Sequence, residues 1–97
     1  MPRGLEIMAR ILDDFLSQNN LIGKNLKKIR KGKKISQREL ANKLELLGIY
    51  ICRGSISRIE EGLRTVTDIE LAGLAKVLEI EISDLMDTAA LPFEKDR

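Results

Sequence analysis

Residues 36–62 read SQRELANKLELLGIYICRGSISRIEEG, and this stretch decides how the rest of the chain is interpreted. Ser36 and Glu39 have the S-x-x-E spacing of a capping box, in which each side chain satisfies a backbone N–H group that a helix start leaves free. Gly48 and Gly62 each occupy the position where a helix commonly stops. The stretch therefore predicts two helices, the second shorter than the first, joined by a connection.

The apolar residues of this stretch fall on one face of each helix. In the first helix they recur at i, i+1, i+4 and i+7, and in the second helix at i and i+3. Two helices with aliphatic inner faces, the second with an outer face of arginine and serine, form a helix-turn-helix pattern. The inner residues are Leu40, Ala41, Leu44, Leu47, Ile56 and Ile59, and the outer residues are Arg53, Ser55, Ser57 and Arg58.

Three sequence blocks, ISQRELANKL, SISRIEEGLR and TDIELAGLAKVLEI, occur in that order. Together they resemble the Cro and lambda-repressor-like family, the xenobiotic-response-element type of helix-turn-helix proteins, over residues 21–87. The resemblance implies an all-α fold: a compact five-helix lambda-repressor-like DNA-binding domain, here with an extra N-terminal amphipathic helix. It also implies a sequence-specific, double-stranded DNA-binding transcriptional regulator, with repression as the expected mode.

The chain divides into three segments: an N-terminal amphipathic helix or arm (1–20), the helix-turn-helix domain (21–88) and a flexible tail (89–97). Residues 5–18 carry an apolar stripe at helical spacing. This stripe either adds to the domain's own core or forms a dimer contact. A homodimer is expected, built through residues 5–18 or through the fifth helix and the tail.

The remaining helices follow from periodicity and caps. They are predicted at residues 21–31, stopped by Gly32 in a left-handed conformation, at 55–61, from the Thr67–Glu70 capping box onward, and at 83–87.

The connection between the second and third helices departs from the family. Eight residues separate Leu44 from Arg53, where short-turn relatives have about three. One more turn of helix would absorb four of them. The segment LLGIYIC also has β-propensity, but a single strand would have no partner in this chain.

By resemblance, the start of the third helix reads bases, and the expected residues are Arg53, Gly54, Ser55, Ser57 and Arg58. An arginine fork on guanine O6 and N7 supplies roughly 1–3 kcal/mol of discrimination. Glycine is unusual at its position, where relatives carry a long polar residue, and Gly54 instead permits close backbone approach.

A second group is expected to hold the DNA backbone, since a helix N-terminus offers free N–H groups and the positive end of a dipole. Residues 24–43 hold nine Lys or Arg and one acid, whereas residues 44–97 hold six and eleven. The expected backbone contacts are Lys33, Lys34, Ser36, Gln37, Arg64 and Thr65.

Two further expectations concern single residues. Arg30 and Glu60 match a family pair that ties the first helix to the end of the recognition helix. Cys52 precedes that helix by one residue, and packing is the expected role, with a redox switch on DNA binding as the alternative.

Composition excludes several other classes of function. The chain has one cysteine and no histidine, which is the commonest general base and the commonest metal ligand. A zinc site is therefore not credible, and no enzyme activity, cofactor, metal or small-molecule ligand is expected. No apolar run approaches a membrane span of about 20 residues, and cytoplasmic localisation is expected. The alternatives to a repressor are an antitoxin-type autoregulator bound to a toxin, and a protein-interaction module without DNA binding.

Overall fold

A computed structural model describes residues 6–7 and 17–86. The described part of the chain is all-helical and contains no strand, as expected. Between residues 17 and 86 it forms α1 (Gly23–Gly32), α2 (Gln37–Glu45), α3 (Arg53–Glu60), α4 (Asp68–Leu78) and α5 (Ile82–Leu85). Most of the predicted N-terminal helix and the whole of the predicted tail lie outside the described residues.

A single aliphatic core joins the five helices. Every helix contributes at least one fully buried leucine or isoleucine, and each such side chain stabilises the fold by about 1.5–3 kcal/mol relative to exposure. The fully buried side chains are Leu26, Leu40, Leu44, Ile56, Ile59, Leu74, Leu78 and Leu85.

Both predicted capping boxes are present. At the start of α2 the Glu39 N–H donates to Ser36 Oγ at 3.0 Å, and Ser36 N–H donates to Glu39 Oε1 at 3.2 Å. At the start of α4 the Glu70 N–H donates to Thr67 Oγ1 at 3.1 Å, with the reciprocal bond at 3.0 Å. Each box satisfies donors that the first helical turn would otherwise leave unpaired.

Two of the three glycines predicted as helix stops follow a helix in a left-handed conformation, and the third does not. Gly48 and Gly62 are left-handed, with φ of 80° and 78°. The expectation for Gly32 is wrong, because Gly32 is still helical and Lys34 takes the left-handed position at φ 59°. The Ile35 N–H then donates back to the Arg30 carbonyl at 3.1 Å, which closes α1 in a Schellman-type turn.

The connection between α2 and α3 is longer than expected, since α2 does not gain an extra turn. Residues 46–52 are non-helical, and Leu47, predicted to be inward, is 47% exposed. Two isoleucines instead anchor the connection. Ile51 is buried, and Ile49 packs against Gly73 of α4, where any Cβ atom would collide with its side chain.

Candidate nucleic-acid interface

The helix α3 has one buried and one open face. It begins at Arg53, two residues before its predicted start, and Cys52 is its N-cap in an extended conformation. Ile56 and Ile59 point into the core and are fully buried. All five residues expected to contact bases lie on α3: Arg53, Gly54 and Arg58 are exposed, and Ser55 and Ser57 are half-buried.

A buried cluster of charge fixes how α3 is held. Arg30 Nε lies 2.7 Å from Glu60 Oε2, and Arg30 Nη2 donates to Glu60 Oε1 at 3.1 Å, so the pair is two-pronged. A third donor, Gln37 Nε2, reaches the same Oε1 at 3.0 Å, and Arg30 Nη1 donates to the Ile35 carbonyl at 2.7 Å. The Arg30 and Glu60 side chains are 8% and 2% exposed.

This cluster links three helices through one carboxylate. Arg30 belongs to α1, Gln37 opens α2 and Glu60 ends α3. The tilt of α3 relative to the start of α2 is therefore set by hydrogen bonds of fixed geometry as well as by apolar packing. The contribution of Gln37 cannot be read from sequence, because it depends on the angle between the two helices.

Two side-chain hydrogen bonds meet at Ser55 in the first turn of α3. Arg58 Nη2 donates to Ser55 Oγ at 3.1 Å, and Cys52 Sγ lies 3.4 Å from the same oxygen. Cys52 is exposed, so its expected packing role is wrong. The hydrogen bond with Ser55, followed by backbone N–H groups at the helix start, lowers the pKa of the Cys52 thiol.

The start of α2 presents its predicted backbone-contacting residues at the surface. Lys33, Lys34 and Ser36 are exposed, and Gln37 is half-buried. The side-chain amide of Gln37 is already used on Glu60, so its backbone N–H, at the first position of α2, is the group left to meet an anion.

Beyond α3, Arg64 already has a carboxylate partner. Its Nη1 and Nη2 donate to the two oxygens of Glu70 at 3.1 and 3.0 Å, and Nη1 also donates to the Thr65 carbonyl. Hydrogen bonds from Arg64 lower the pKa of Glu70, and the same bonds raise the pKa of Arg64. Arg64, which the sequence predicts to contact the DNA backbone, is therefore already paired within the protein. Thr65 is exposed.

Asn20 satisfies the start of α1 and also positions α3. Its Oδ1 accepts from the N–H groups of Ile22 and Gly23 at 3.0 and 2.8 Å, which caps the start of α1. Its Nδ2 group donates to the carbonyls of Ile59 and Arg64 at 3.0 and 2.8 Å. Asn20 thereby ties the segment before α1 to the end of α3.

Other kinds of site find no support among residues 6–7 and 17–86. No three His, Cys, Asp or Glu side chains in these ranges converge as metal ligands would. Over the same ranges, no helix combines the length and the apolar character needed to cross a bilayer.

Two packed helices, with the second held at a fixed tilt and its cationic face open, define a helix-turn-helix DNA-binding domain. The chain belongs to the Cro/C1-type helix-turn-helix family, whose helix-turn-helix model matches residues 26–85. Membership supports DNA-binding transcription regulation as the class of function.

A solved structure gives a second comparison. The chain is similar to the restriction-modification controller protein C.AhdI from Aeromonas hydrophila, with 31% sequence identity and a TM-score of 0.59. The match covers 67% of this chain and 87% of that protein. No curated protein matches the sequence.

Proposed function

We propose that this protein is a sequence-specific repressor that binds double-stranded DNA in the cytoplasm as a homodimer and reads the major groove with α3. The observation that carries the proposal is the open outer face of α3, where Arg53 and Arg58 are exposed beside a fully buried inner face. A guanidinium pointing away from the core at a helix start can reach base edges in the groove. The name of the similar Aeromonas protein, a controller, supports a regulatory role.

In this proposal the start of α2 supplies the contacts to the DNA backbone. Lys33 and Lys34 neutralise phosphates, while the Ser36 hydroxyl and the Gln37 N–H donate to phosphate oxygens. Thr65 lies beyond α3 and adds a further contact to the DNA backbone. Arg64 contacts a phosphate only if its guanidinium is shared with Glu70 or leaves that carboxylate.

Base reading is assigned first to the two arginines. Arg53 or Arg58 makes a forked contact with guanine, so every half-site contains at least one G·C pair. Gly54, which has no side chain, and the two serines allow α3 to approach the base edges closely.

Selection of bound duplexes from a random pool tests the proposal directly. We expect enrichment of an inverted repeat whose half-sites are about 34 Å apart, the spacing that a two-fold dimer of such domains imposes. The variant carrying both Arg53→Ala and Arg58→Ala should lose about 1–3 kcal/mol of discrimination per lost fork. Undiminished selectivity in that variant would contradict the assignment of base reading.

The salt dependence of DNA affinity distinguishes specific contacts to phosphates from a general effect of charge. The slope of log affinity against log salt should fall by about 0.9 in Lys33→Ala, as one phosphate contact is lost. Lys76→Ala, which removes an exposed lysine from α4, is the matched control and should leave the slope unchanged. A wild-type chain indifferent to both duplex and salt would favour the interaction module instead.

A further inference from the structure

The connection between α2 and α3 leaves an aromatic side chain beside the open face of α3. Tyr50 is 78% exposed, although it stands between two isoleucines that pack inward. Burial alternates along this segment, with Ile49 and Ile51 inward and Tyr50 and Cys52 outward. Because alternate residues of an extended segment point to the same side, Tyr50 shares its side with Cys52, the residue directly before Arg53.

Tyr50 lines a groove with residues of α2 and with the start of α3. The groove has a volume of about 510 Å³ and runs between the outer face of α2 and residues 50–53. Arg38 and Arg53 contribute two positive charges to its walls, against one negative charge from Glu45, and Asn42 contributes an amide. The charged groups of this lining are net cationic, which suits a phosphodiester strand.

The position of the tyrosine is fixed on both sides. Ile51 is 3% exposed, and Ile49 fills the notch that Gly73 leaves in α4. Two anchored neighbours hold the backbone of Tyr50 in place, so little backbone freedom remains to be lost when a partner binds.

We infer that Tyr50 is a further DNA-contacting residue, whose hydroxyl donates to a backbone phosphate of the strand that borders the major groove next to the bases read by Arg53. This inference rests on the proposed function. The ring packs along the adjoining sugar, and Arg38 provides the compensating charge on the opposite wall of the groove. The contact widens the footprint of each half-site beyond the bases that α3 reads.

The test compares the full-length wild-type chain with Tyr50→Phe and Tyr50→Ala on the selected duplex. The phenylalanine variant should bind about tenfold more weakly, since it loses one hydrogen bond to a charged acceptor, and the alanine variant should bind more weakly still. Tyrosine carries no charge, so the salt slope should stay at the wild-type value in both variants. Leu46→Ala is the control: it changes an 87% exposed residue of the same connection that does not line the groove, and its affinity should match wild type.

A scan of single uncharged methylphosphonate linkages locates the contact. At one position the substitution should weaken Tyr50→Phe less than it weakens the wild-type chain, because the variant has already lost the hydroxyl bond and both chains lose only the shared charge interaction with Arg38. Thermal unfolding of each variant should match wild type, as expected for a change at an exposed side chain.

The possible failures are distinct. If the wild-type chain binds no duplex in a salt-dependent way, the proposed function fails. If it binds selectively while both tyrosine variants keep wild-type affinity, or if no phosphate position distinguishes wild type from Tyr50→Phe, the role of Tyr50 is overturned and the proposed function stands.

Discussion

At the scale of single residues, the most consequential side chain is Glu60. It accepts from both nitrogens of the Arg30 fork and from the Gln37 amide, yet its side chain is only 2% exposed. A buried charge of this kind is tolerable only while it is paired and hydrogen-bonded. The residue therefore matters for stability and for the orientation of α3, without contacting DNA itself.

Replacing Glu60 should destabilise the fold strongly. In Glu60→Ala the Arg30 guanidinium stays buried without its carboxylate, and the free energy of unfolding should fall by about 3–5 kcal/mol in a urea titration. Glu61→Ala removes the same charge from the next, exposed position and should change stability by less than about 0.5 kcal/mol. Equal effects of the two changes would show that the buried pair has no special role.

The pairing of Glu70 with Arg64 predicts that stability depends on pH. Its pKa is depressed by hydrogen bonds from Arg64, so its contribution to stability is complete above the ordinary carboxyl value of 4.5 and is lost as the pH falls through the lower, folded-state value. Glu70→Gln should therefore destabilise the protein near neutral pH, and the deficit should shrink in acid below pH 4.5. Urea unfolding of both chains across that range measures the deficit, and a deficit independent of pH would mean that the charge of Glu70 does not contribute to stability.

At the scale of helices, two glycines of α1 have opposite environments. Gly23 lies against the end of α3, where an added Cβ would collide with the backbone carbonyl oxygen of Ile59 and meet that of Glu60 at 3.0 Å. Gly32 has nothing within 4 Å of the same position. The close approach at Gly23 is what allows the start of α1 to lie directly on the end of α3.

Alanine at these two positions should therefore change stability in opposite directions. Gly23→Ala should lower the melting temperature, because backbone atoms cannot yield as a flexible side chain can, and the cost should be about 1–3 kcal/mol. Gly32→Ala should raise stability by about 0.4–1 kcal/mol, since Gly32 ends α1 in a conformation that alanine can adopt and alanine lowers the entropy of the unfolded chain. Stabilisation by both changes would mean that α1 can shift away from α3 at little cost.

The sequence alone predicted the helices well, because their signals are local. Both capping boxes, the glycine stops at 48 and 62 and the inward residues of α3 depend on neighbours only a few positions away. Lys34 was missed, because the hydrogen bonds that close α1 offset the modest cost of a left-handed lysine, which a preference for glycine does not take into account.

The details that were missed depend on contacts between distant segments. Leu47 was predicted to be inward on the assumption that α2 continues, but α2 ends at Glu45 and Ile49 takes the inner position against Gly73. The pairing of Arg64 with Glu70 and the bond from Gln37 to Glu60 are likewise set by how the helices meet. Cys52 was misassigned for the same reason, since its exposure depends on the path of the connection.

At the scale of the whole molecule, DNA recognition by the proposed homodimer depends on a geometry that one domain does not supply. A single α3 spans only a few base pairs, so selectivity in the proposed dimer comes from two copies held at a fixed separation. The rigid link between α1, α2 and α3 makes each copy a stiff unit. A change in the spacing between the half-sites should therefore weaken binding.

Changing that spacing gives a direct measurement. Inserting about five base pairs between the half-sites turns one of them to the opposite side of the duplex. Affinity in a gel-shift titration should then drop to that of a duplex carrying one half-site. Retention of full affinity would indicate that the two domains bind independently or are joined flexibly.

The exposed thiol at the start of α3 has a chemical use. The chain contains one cysteine, and Cys52 is at the surface next to Arg53. Its pKa is lowered, which favours the thiolate form. A duplex carrying a disulfide-activated tether on a chosen base could be joined to the unaltered protein at this one atom. The yield at successive tether positions would then map the distance from each base to the helix start.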